Sequence, residues 1–214
     1  MLKVFMSGVL LIFALNVAVA GESESGERDK TATGSAAGKL AGREYPVRLG
    51  GVPAVWGYYL MKTGICDAPL MRVEYLYGEK FDPQSSAVVY YSPYPDARWS
   101  LLRDTVYPFA TEDGALLFTF AFNSMDSNLH YAWPDGGNIY DGWNAAIIRE
   151  KKKLETAFGM PARKFFVFGE SAGARDAINI ANRHPDAVAA VAWCTGAVQP
   201  VADESTVPTL AVTT

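Results

Sequence analysis

The chain has 214 residues, of which 50% are hydrophobic and 20% are charged, and its formal net charge is −4. This length and composition are typical of a single globular domain that buries a sizeable core. The negative net charge, without a basic stripe, argues against a nucleic-acid partner and against binding to an anionic membrane surface.

The N-terminal segment has the pattern of a secretory signal peptide. Lys3 supplies a short positive region, residues 4–17 are largely apolar, and residues 18–20 (Ala-Val-Ala) offer the small residues that a signal peptidase requires. The apolar run is short for a spanning helix, so we expect cleavage after Ala20, with an uncleaved membrane anchor as the alternative. Residues 1–20 are therefore predicted to be a signal peptide, and the protein to be secreted or periplasmic, with no membrane contact after cleavage.

The next segment, residues 21–43, contains Gly, Ser, Ala and charged residues without apolar periodicity, which predicts a flexible leader. Order is expected to start near Tyr45. Residues 52–61 and 71–77 have the pattern of two strands joined by a turn, and the apolar run at 87–91 is typical of a strand that is buried on both faces.

The rest of the chain alternates strand and helix patterns. In order, the sequence predicts a short helical or irregular segment at 101–110, a strand at 115–122, a long loop at 123–138, a helix at 143–158, a strand at 165–168, a helix at 172–183, and strands at 188–194 and 209–212. This alternation predicts an α/β fold with a mostly parallel sheet and helices on both faces.

The chemical signal is the motif Gly169-Glu170-Ser171-Ala172-Gly173, which stands between a predicted buried strand and a predicted helix. In that context G-x-S-x-G is typical of a nucleophile elbow, a sharp turn that exposes a serine hydroxyl above the sheet edge. The helix N-terminus favours negative charge that develops there. Ser171 is therefore the predicted nucleophile, and a structural serine in a Gly-rich turn is the alternative.

Residues 165–196 (FFVFGESAGARDAINIANRHPDAVAAVAWCTG) resemble the elbow, following helix and next strand of the α/β-hydrolase family, in particular secreted esterases and polyester-depolymerase-like members. The resemblance implies that residues 44–214 form an α/β-hydrolase domain that lacks the last strand and helix. It also implies a serine hydrolase that forms an acyl-serine intermediate on a small-molecule or polymer ester, without a cofactor or a metal.

The resemblance further implies an oxyanion hole made of two backbone N–H groups. One belongs to Ala172, the residue after the nucleophile. The other comes from the loop after the strand at 87–91, where this chain has Ser92-Pro93-Tyr94-Pro95 in place of the His-Gly of many members. Because the two prolines have no N–H to donate, Tyr94 is the expected second donor.

The family's triad follows the chain order Ser, then Asp or Glu, then His, and the sequence contains two histidines. His184 would lie about 20 Å from Ser171 along one helix, so it is excluded as the base. His130 precedes Ser171, in a loop that leaves the carboxyl end of a strand, and it is the candidate base, with an ordinary loop residue as the alternative. Asp203 is the candidate acid, with Glu204 as its neighbour. We expect a domain shortened at its C-terminus and an impaired activity, because the triad histidine is absent.

A non-catalytic exported binding protein on the same scaffold is the alternative function. The missing base favours it, whereas an intact elbow disfavours it, because backbone strain of that kind tends to persist where function requires it. Cys66 and Cys194 are expected to be separate thiols, since the predicted strand order places them too far apart for a disulfide. The substrate and the oligomeric state are left open.

Overall fold

The computed structural model describes residues 39–61, 71–92, 101–104, 106–121, 139–170, 172–194 and 207–212, and for residues 71, 101, 104, 139–143, 172, 211 and 212 it describes the backbone alone. Within these ranges the strands are β1 (Arg43–Leu49), β2 (Val52–Met61), β3 (Met71–Gly78), β4 (Val88–Ser92), β5 (Leu116–Ala121), β6 (Phe165–Glu170), β7 (Val188–Cys194) and β8 (Thr209–Val212). The helices are α1 (Leu101–Asp104), α2 (Tyr107–Thr111), α3 (Ile139–Phe158) and α4 (Ala172–Arg183).

The eight strands form one mixed sheet in the order β1-β2-β3-β5-β4-β6-β7-β8. The pairings β1–β2, β2–β3 and β3–β5 are antiparallel. The pairings β5–β4, β4–β6, β6–β7 and β7–β8 are parallel. The predicted parallel sheet is therefore the half that contains the G-x-S-x-G motif, and an antiparallel half extends it.

Strand β1 was not predicted from the sequence. It pairs with β2 through a two-residue turn in which Leu49 is opposite Val52. Gly50 and Gly51, at the tip, have φ values of 56° and 80°, and a tight hairpin turn with positive φ at both positions favours glycine at each. The Gly-Gly pair was thus a hairpin signal that could have identified β1.

The described residues begin at residue 39, before the expected start near Tyr45. Leu40 is only 4% exposed and belongs to the hydrophobic core. The Lys39 ammonium donates a 3.0 Å hydrogen bond to the Ala157 carbonyl, near the end of α3. The last residues of the predicted leader therefore pack against the domain, while residues 1–38, including the predicted signal peptide, lie outside the described residues.

Both faces of the sheet are covered, as the sequence predicts. On one face α3 and α4 bury apolar side chains such as Ile147, Leu154 and Ile180 against the sheet. On the other face α1 and α2 bury Leu102 and Phe109. Burial on both faces explains why every residue of β4 and of β5 is buried.

Most predicted elements are present, with some changes at their ends. Helix α3 begins at Ile139, earlier than the predicted 143, and it ends at Phe158 before Gly159, which has a φ of 69°. The segment predicted as helical or irregular forms α1 and α2. Cys194 is buried at the end of β7, whereas Cys66 lies outside the described residues, so the separation of the two thiols stays a prediction.

No helix among the residues that the structure describes is long and apolar enough to cross a membrane.

Candidate active site

The carboxyl ends of the parallel strands meet at one edge of the sheet. Ser92 at the end of β4 is in register with Gly169 of β6. Glu170 at the end of β6 is in register with Cys194, which is in turn paired with Val212. Strand β5 also ends at this edge, because it runs parallel to β4. Ligands bind at this edge in open α/β sheets, so we call it the carboxyl edge.

The predicted site residues Ser171, Tyr94, His130 and Asp203 lie outside the described residues, as does Glu204, and of Ala172 the structure describes the backbone. The described strands nevertheless show where the segments that contain these residues begin. Residues 93–100 follow β4, residues 122–138 follow β5, and residues 195–206 follow β7. All three segments start from the carboxyl edge, and so does position 171 after β6.

The local geometry around position 171 is that of an abrupt strand-to-helix reversal. Strand β6 ends at Glu170 and α4 begins at Ala172, which leaves one residue between them. Helix α4 then packs back against the strand it follows. A Cβ atom on Gly169 would lie 2.5 Å from the Gly173 carbonyl oxygen and 2.7 Å from both Ala174 Cα and Ala177 Cβ. Glycine at position 169 therefore allows the helix backbone to approach the end of β6.

On one face of the sheet, the residue that precedes Ser171 is bonded to β4. The Tyr91 hydroxyl donates a 2.6 Å hydrogen bond to Glu170 Oε2. The Tyr91 ring is stacked on Phe168, with a centroid distance of 5.6 Å and an interplanar angle of 16°. Thr119 Oγ1 on β5 donates a 2.8 Å hydrogen bond to the Tyr91 carbonyl. The end of β4 is thus held by both of its neighbouring strands.

On the opposite face, Ser92 contacts helix α4. The Ser92 hydroxyl donates a long hydrogen bond of 3.5 Å to Asp176 Oδ2. Burial raises the pKa of the Asp176 carboxyl to about 6, although the Ser92 hydrogen bond and the positive charge of Arg175 act in the opposite direction. The desolvation of Asp176 on α4 therefore raises its pKa by more than the hydrogen bond and the Arg175 charge together lower it.

Tyr91, Ser92 and Asp176 were not predicted from the sequence to have a role at this edge. Glu170 was visible as the second residue of the motif, but its partner on β4 depends on the strand order. Asp176 lies five positions after Ser171 on α4, and a charged residue in the second turn of a predicted helix most often faces solvent. The strand register brings Asp176 close to Ser92, and the sequence does not encode that register locally.

His184 lies at the far end of α4, as predicted. Its backbone N–H donates a 2.9 Å hydrogen bond to the Ile180 carbonyl, and its carbonyl accepts from Ala187 N–H in the turn that leads into β7. The 12 residues of α4 span about 18 Å. His184 therefore ends the helix at the opposite edge of the sheet and does not contribute to the carboxyl edge.

Within the described residues, no group of three or more His, Cys, Asp and Glu side chains is arranged to hold a metal ion. Among the described residues at the carboxyl edge, Tyr91 and Ser92 each donate a hydrogen bond to a carboxylate.

No protein-family profile matches the chain, and no curated protein matches it. Solved structures do. The chain is similar to poly(aspartic acid) hydrolase-1 from Sphingomonas sp. KT-1, with 17% identity and a TM-score of 0.51, over 69% of this chain and 57% of that one. It is also similar to an acetyl xylan esterase from Paenibacillus sp. R4, with 15% identity and a TM-score of 0.50, over 73% of this chain and 54% of that one.

The chain spans about half the length of these solved proteins. At such identities the similarity concerns the fold. Together with the mixed eight-stranded sheet, it shows that the chain has the α/β-hydrolase fold, which confirms the family resemblance at the level of architecture.

Proposed function

We propose that this chain is a serine hydrolase that acts on carboxylic esters through an acyl-serine intermediate on Ser171. The observation that carries the proposal is the single residue between β6 and α4, together with a glycine at 169 that allows the helix to pack against the strand. This geometry favours a hydroxyl exposed at the tip of the turn.

The proposed reaction has two steps. The Ser171 hydroxyl oxygen attacks the ester carbonyl carbon while a base accepts its proton, and the alcohol leaves with a proton from that base. Water then attacks the acyl-serine, releases the carboxylic acid and restores the hydroxyl. No oxidant, reductant or cofactor is needed for these steps.

Two backbone N–H groups are proposed to stabilise the oxyanion. Ala172 is the first residue of α4, and the first four N–H groups of a helix have no acceptor within it. Tyr94 follows Ser92 by two positions, and Ser92 is in register with Gly169 on the neighbouring strand. Donors from these two segments would approach the carbonyl oxygen from adjacent strands.

His130 and Asp203 are the proposed base and acid. Support comes from the strands that precede them, since β5 and β7 both end at the carboxyl edge, as does β6 before position 171. The order of His130 before Ser171 differs from the family's order. We therefore expect slower turnover than a triad in the family's order supports.

The substrate is proposed to be a small-molecule or polymer ester. The acetyl xylan esterase is named for an ester substrate, which supports the ester class. The poly(aspartic acid) hydrolase is named for a polyamide, so it supports a polymer substrate and does not bear on the ester bond. Because fold similarity alone does not transfer specificity, the chemical class proposed for this chain is limited to the carboxylic ester.

A phosphonate active-site probe tests the proposal. Incubation of the folded protein with a fluorophosphonate, followed by intact-mass and peptide mass spectrometry, should show one adduct on Ser171. The Ser171→Ala variant should lose the adduct, and Ser85→Ala, which changes an exposed serine elsewhere, should keep it. A folded wild-type sample without any adduct would overturn the proposal and favour the alternative, a non-catalytic binding protein.

We also propose that the protein is exported and that the leader is cleaved after Ala20. Support comes from the sequence pattern of residues 1–20. Expression with the full N-terminus in a bacterial host, followed by N-terminal sequencing of the periplasmic fraction, should return a protein that starts at Gly21. A full-length chain that stays with the membrane fraction would contradict cleavage.

A further inference from the structure

The end of β4 is bonded to both sides of the predicted nucleophile, one bond on each face of the sheet. Tyr91 and Ser92 are consecutive residues, so their side chains point to opposite faces. Tyr91 donates to Glu170 Oε2 at 2.6 Å on one face. Ser92 donates to Asp176 Oδ2 at 3.5 Å on the other. The acceptors precede and follow Ser171 in the sequence, by one and by five positions.

The two donating side chains are buried, so their hydrogen bonds restrain segment 170–176 more than exposed ones would. Tyr91 is 1% exposed and Ser92 is 2% exposed. The two bonds themselves are partly buried, because their acceptors Glu170 and Asp176 are half-buried. The Tyr91 bond is short and strong, whereas the Ser92 bond lies at the long limit of a hydrogen bond and is the weaker of the two. A buried hydroxyl that loses its acceptor is costly, so motion of segment 170–176 away from β4 would be opposed on both faces.

The same strand end leads into the segment that carries the proposed oxyanion donor, Tyr94. Catalysis by a serine depends on the distance between the hydroxyl and the oxyanion donors, and a displacement of about 1 Å can cost about 100-fold in rate. A direct connection between the end of β4 and the residues around position 171 would keep that distance constant.

We propose that Tyr91 and Ser92, bonded to Glu170 and Asp176, form a two-sided clamp that fixes segment 170–176 against the end of β4 and thereby positions Ser171 for attack. These four are positioning residues, because they act through Ser171 and its oxyanion donors. The positioning of Ser171 for attack rests on the proposed function. The fixing of segment 170–176 against β4 does not.

The test compares two double variants. One deletes the two donating hydroxyl groups, and the other replaces the two accepting carboxylates with amides, which still have an oxygen that can accept. Tyr91→Phe combined with Ser92→Ala deletes both hydroxyl groups. Glu170→Gln combined with Asp176→Asn retains an oxygen acceptor at each position. A matched control is Tyr59→Phe, which deletes a buried tyrosine hydroxyl that donates at 2.9 Å to Glu150, between β2 and α3.

The readouts are the rate of fluorophosphonate labelling at Ser171 and the hydrogen–deuterium exchange of amides 170–176. The donor-deletion variant should label about 10-fold or more slowly and should exchange these amides faster than wild type. The acceptor-retaining variant and the Tyr59→Phe control should both stay close to the wild-type labelling rate. Urea titrations ensure that labelling is compared at equal folded fractions.

Equal labelling rates for the donor-deletion variant and the Tyr59→Phe control would overturn the positioning role. If folded wild-type protein is not labelled at all, the proposed function fails and the positioning role fails with it. The hydrogen–deuterium exchange measurement then still tests whether the clamp fixes segment 170–176 against β4. Amides 170–176 that exchange equally fast in the donor-deletion variant and in the Tyr59→Phe control would overturn the clamp itself.

Discussion

At the scale of single residues, Gly169 is the position where the strand-to-helix reversal depends most directly on side-chain size. We predict that Gly169→Ala destabilises the fold by about 1–3 kcal/mol or more, because its Cβ would lie 2.5 Å from a backbone oxygen of α4. The free energy of unfolding from urea titration measures this effect.

Gly51→Ala is the control for the Gly169 substitution. A Cβ at Gly51 meets nothing within 4 Å, although φ is 80° there, so the variant should lose only the roughly 1–2 kcal/mol of left-handed strain. A Gly169→Ala protein as stable as wild type would show that α4 does not pack closely on β6.

A second prediction at the residue scale concerns Asp176 and the pH dependence of the free energy of unfolding. Burial raises the pKa of its carboxyl from 3.8 to about 6. Between these values the folded chain binds more protons than the unfolded chain, so this group lowers the free energy of unfolding as pH rises from about 4 to about 6. The full effect is at most about 3 kcal/mol.

Asp176→Asn removes this titration. The stability of the variant relative to wild type should therefore increase between about pH 4 and about pH 7. Urea titrations of both proteins at several pH values measure the difference. A difference that does not change with pH would contradict the raised pKa.

At the scale of elements, β2, β3 and α1 meet around a buried ion pair that the sequence did not reveal. Arg72 and Glu74 on β3 are bonded to each other and are 4% and 0% exposed. Trp56 Nε1 on β2 donates a 3.1 Å hydrogen bond to Glu74 Oε2. The guanidinium of Arg103 on α1 lies 4.6 Å from the centroid of the Trp56 ring.

We predict that Glu74→Ala lowers the free energy of unfolding by about 3–5 kcal/mol, because it removes a fully buried carboxylate that is bonded to the buried Arg72 guanidinium. The double variant Arg72→Met/Glu74→Leu should recover most of this loss, since it removes both charges and keeps the volume. Thermal and urea unfolding of the single and double variants measure the two effects. A single variant as stable as the double would contradict the ion-pair argument.

Element positions were largely predictable where the pattern is local. Helix α4 and strands β7 and β8 have the predicted bounds, because buried strands are continuous apolar runs and α4 has a Gly-rich start and a polar end. Strand β1 was missed because Arg43–Leu49 (REYPVRL) has no regular apolar/polar alternation, contains a proline and follows a Gly/Ser-rich segment. The start of α3 was missed because residues 139–142 carry no strong apolar periodicity.

The site was less predictable than the elements. The motif identified position 171 from local spacing alone. The contacts between Tyr91 and Glu170, and between Ser92 and Asp176, connect residues 79 and 84 positions apart. They depend on β4 lying beside β6, and on a register that side-chain patterns do not specify.

At the scale of the whole molecule, the single sheet predicts a gradient of stability from its centre to its edges. All residues of β4 and β5 are buried, whereas β1 contains only exposed and half-buried residues and lies at the end of the strand order. Local opening requires less free energy where fewer apolar contacts are broken.

We predict that amide hydrogen exchange under native conditions is slowest in β4, β5 and β6 and faster in β1 and β8. Exchange followed by peptide mass spectrometry measures the order. Amides of β1 that outlast those of β5 would contradict a core centred on the parallel strands. The free energy of exchange in β5 should also approach the global free energy of unfolding from urea titration.

The convergence of strand ends at the carboxyl edge has a consequence for engineering. The described structure fixes the anchor pairs Ser92 and Leu101, Ala121 and Ile139, and Cys194 and Val207, which bracket three connecting segments. Foreign connections can be grafted between these anchors while the strand sequences stay constant. Substrate range and the stability of the strands can then be changed separately. A library that varies only the connecting segments samples new specificities on one unchanged scaffold.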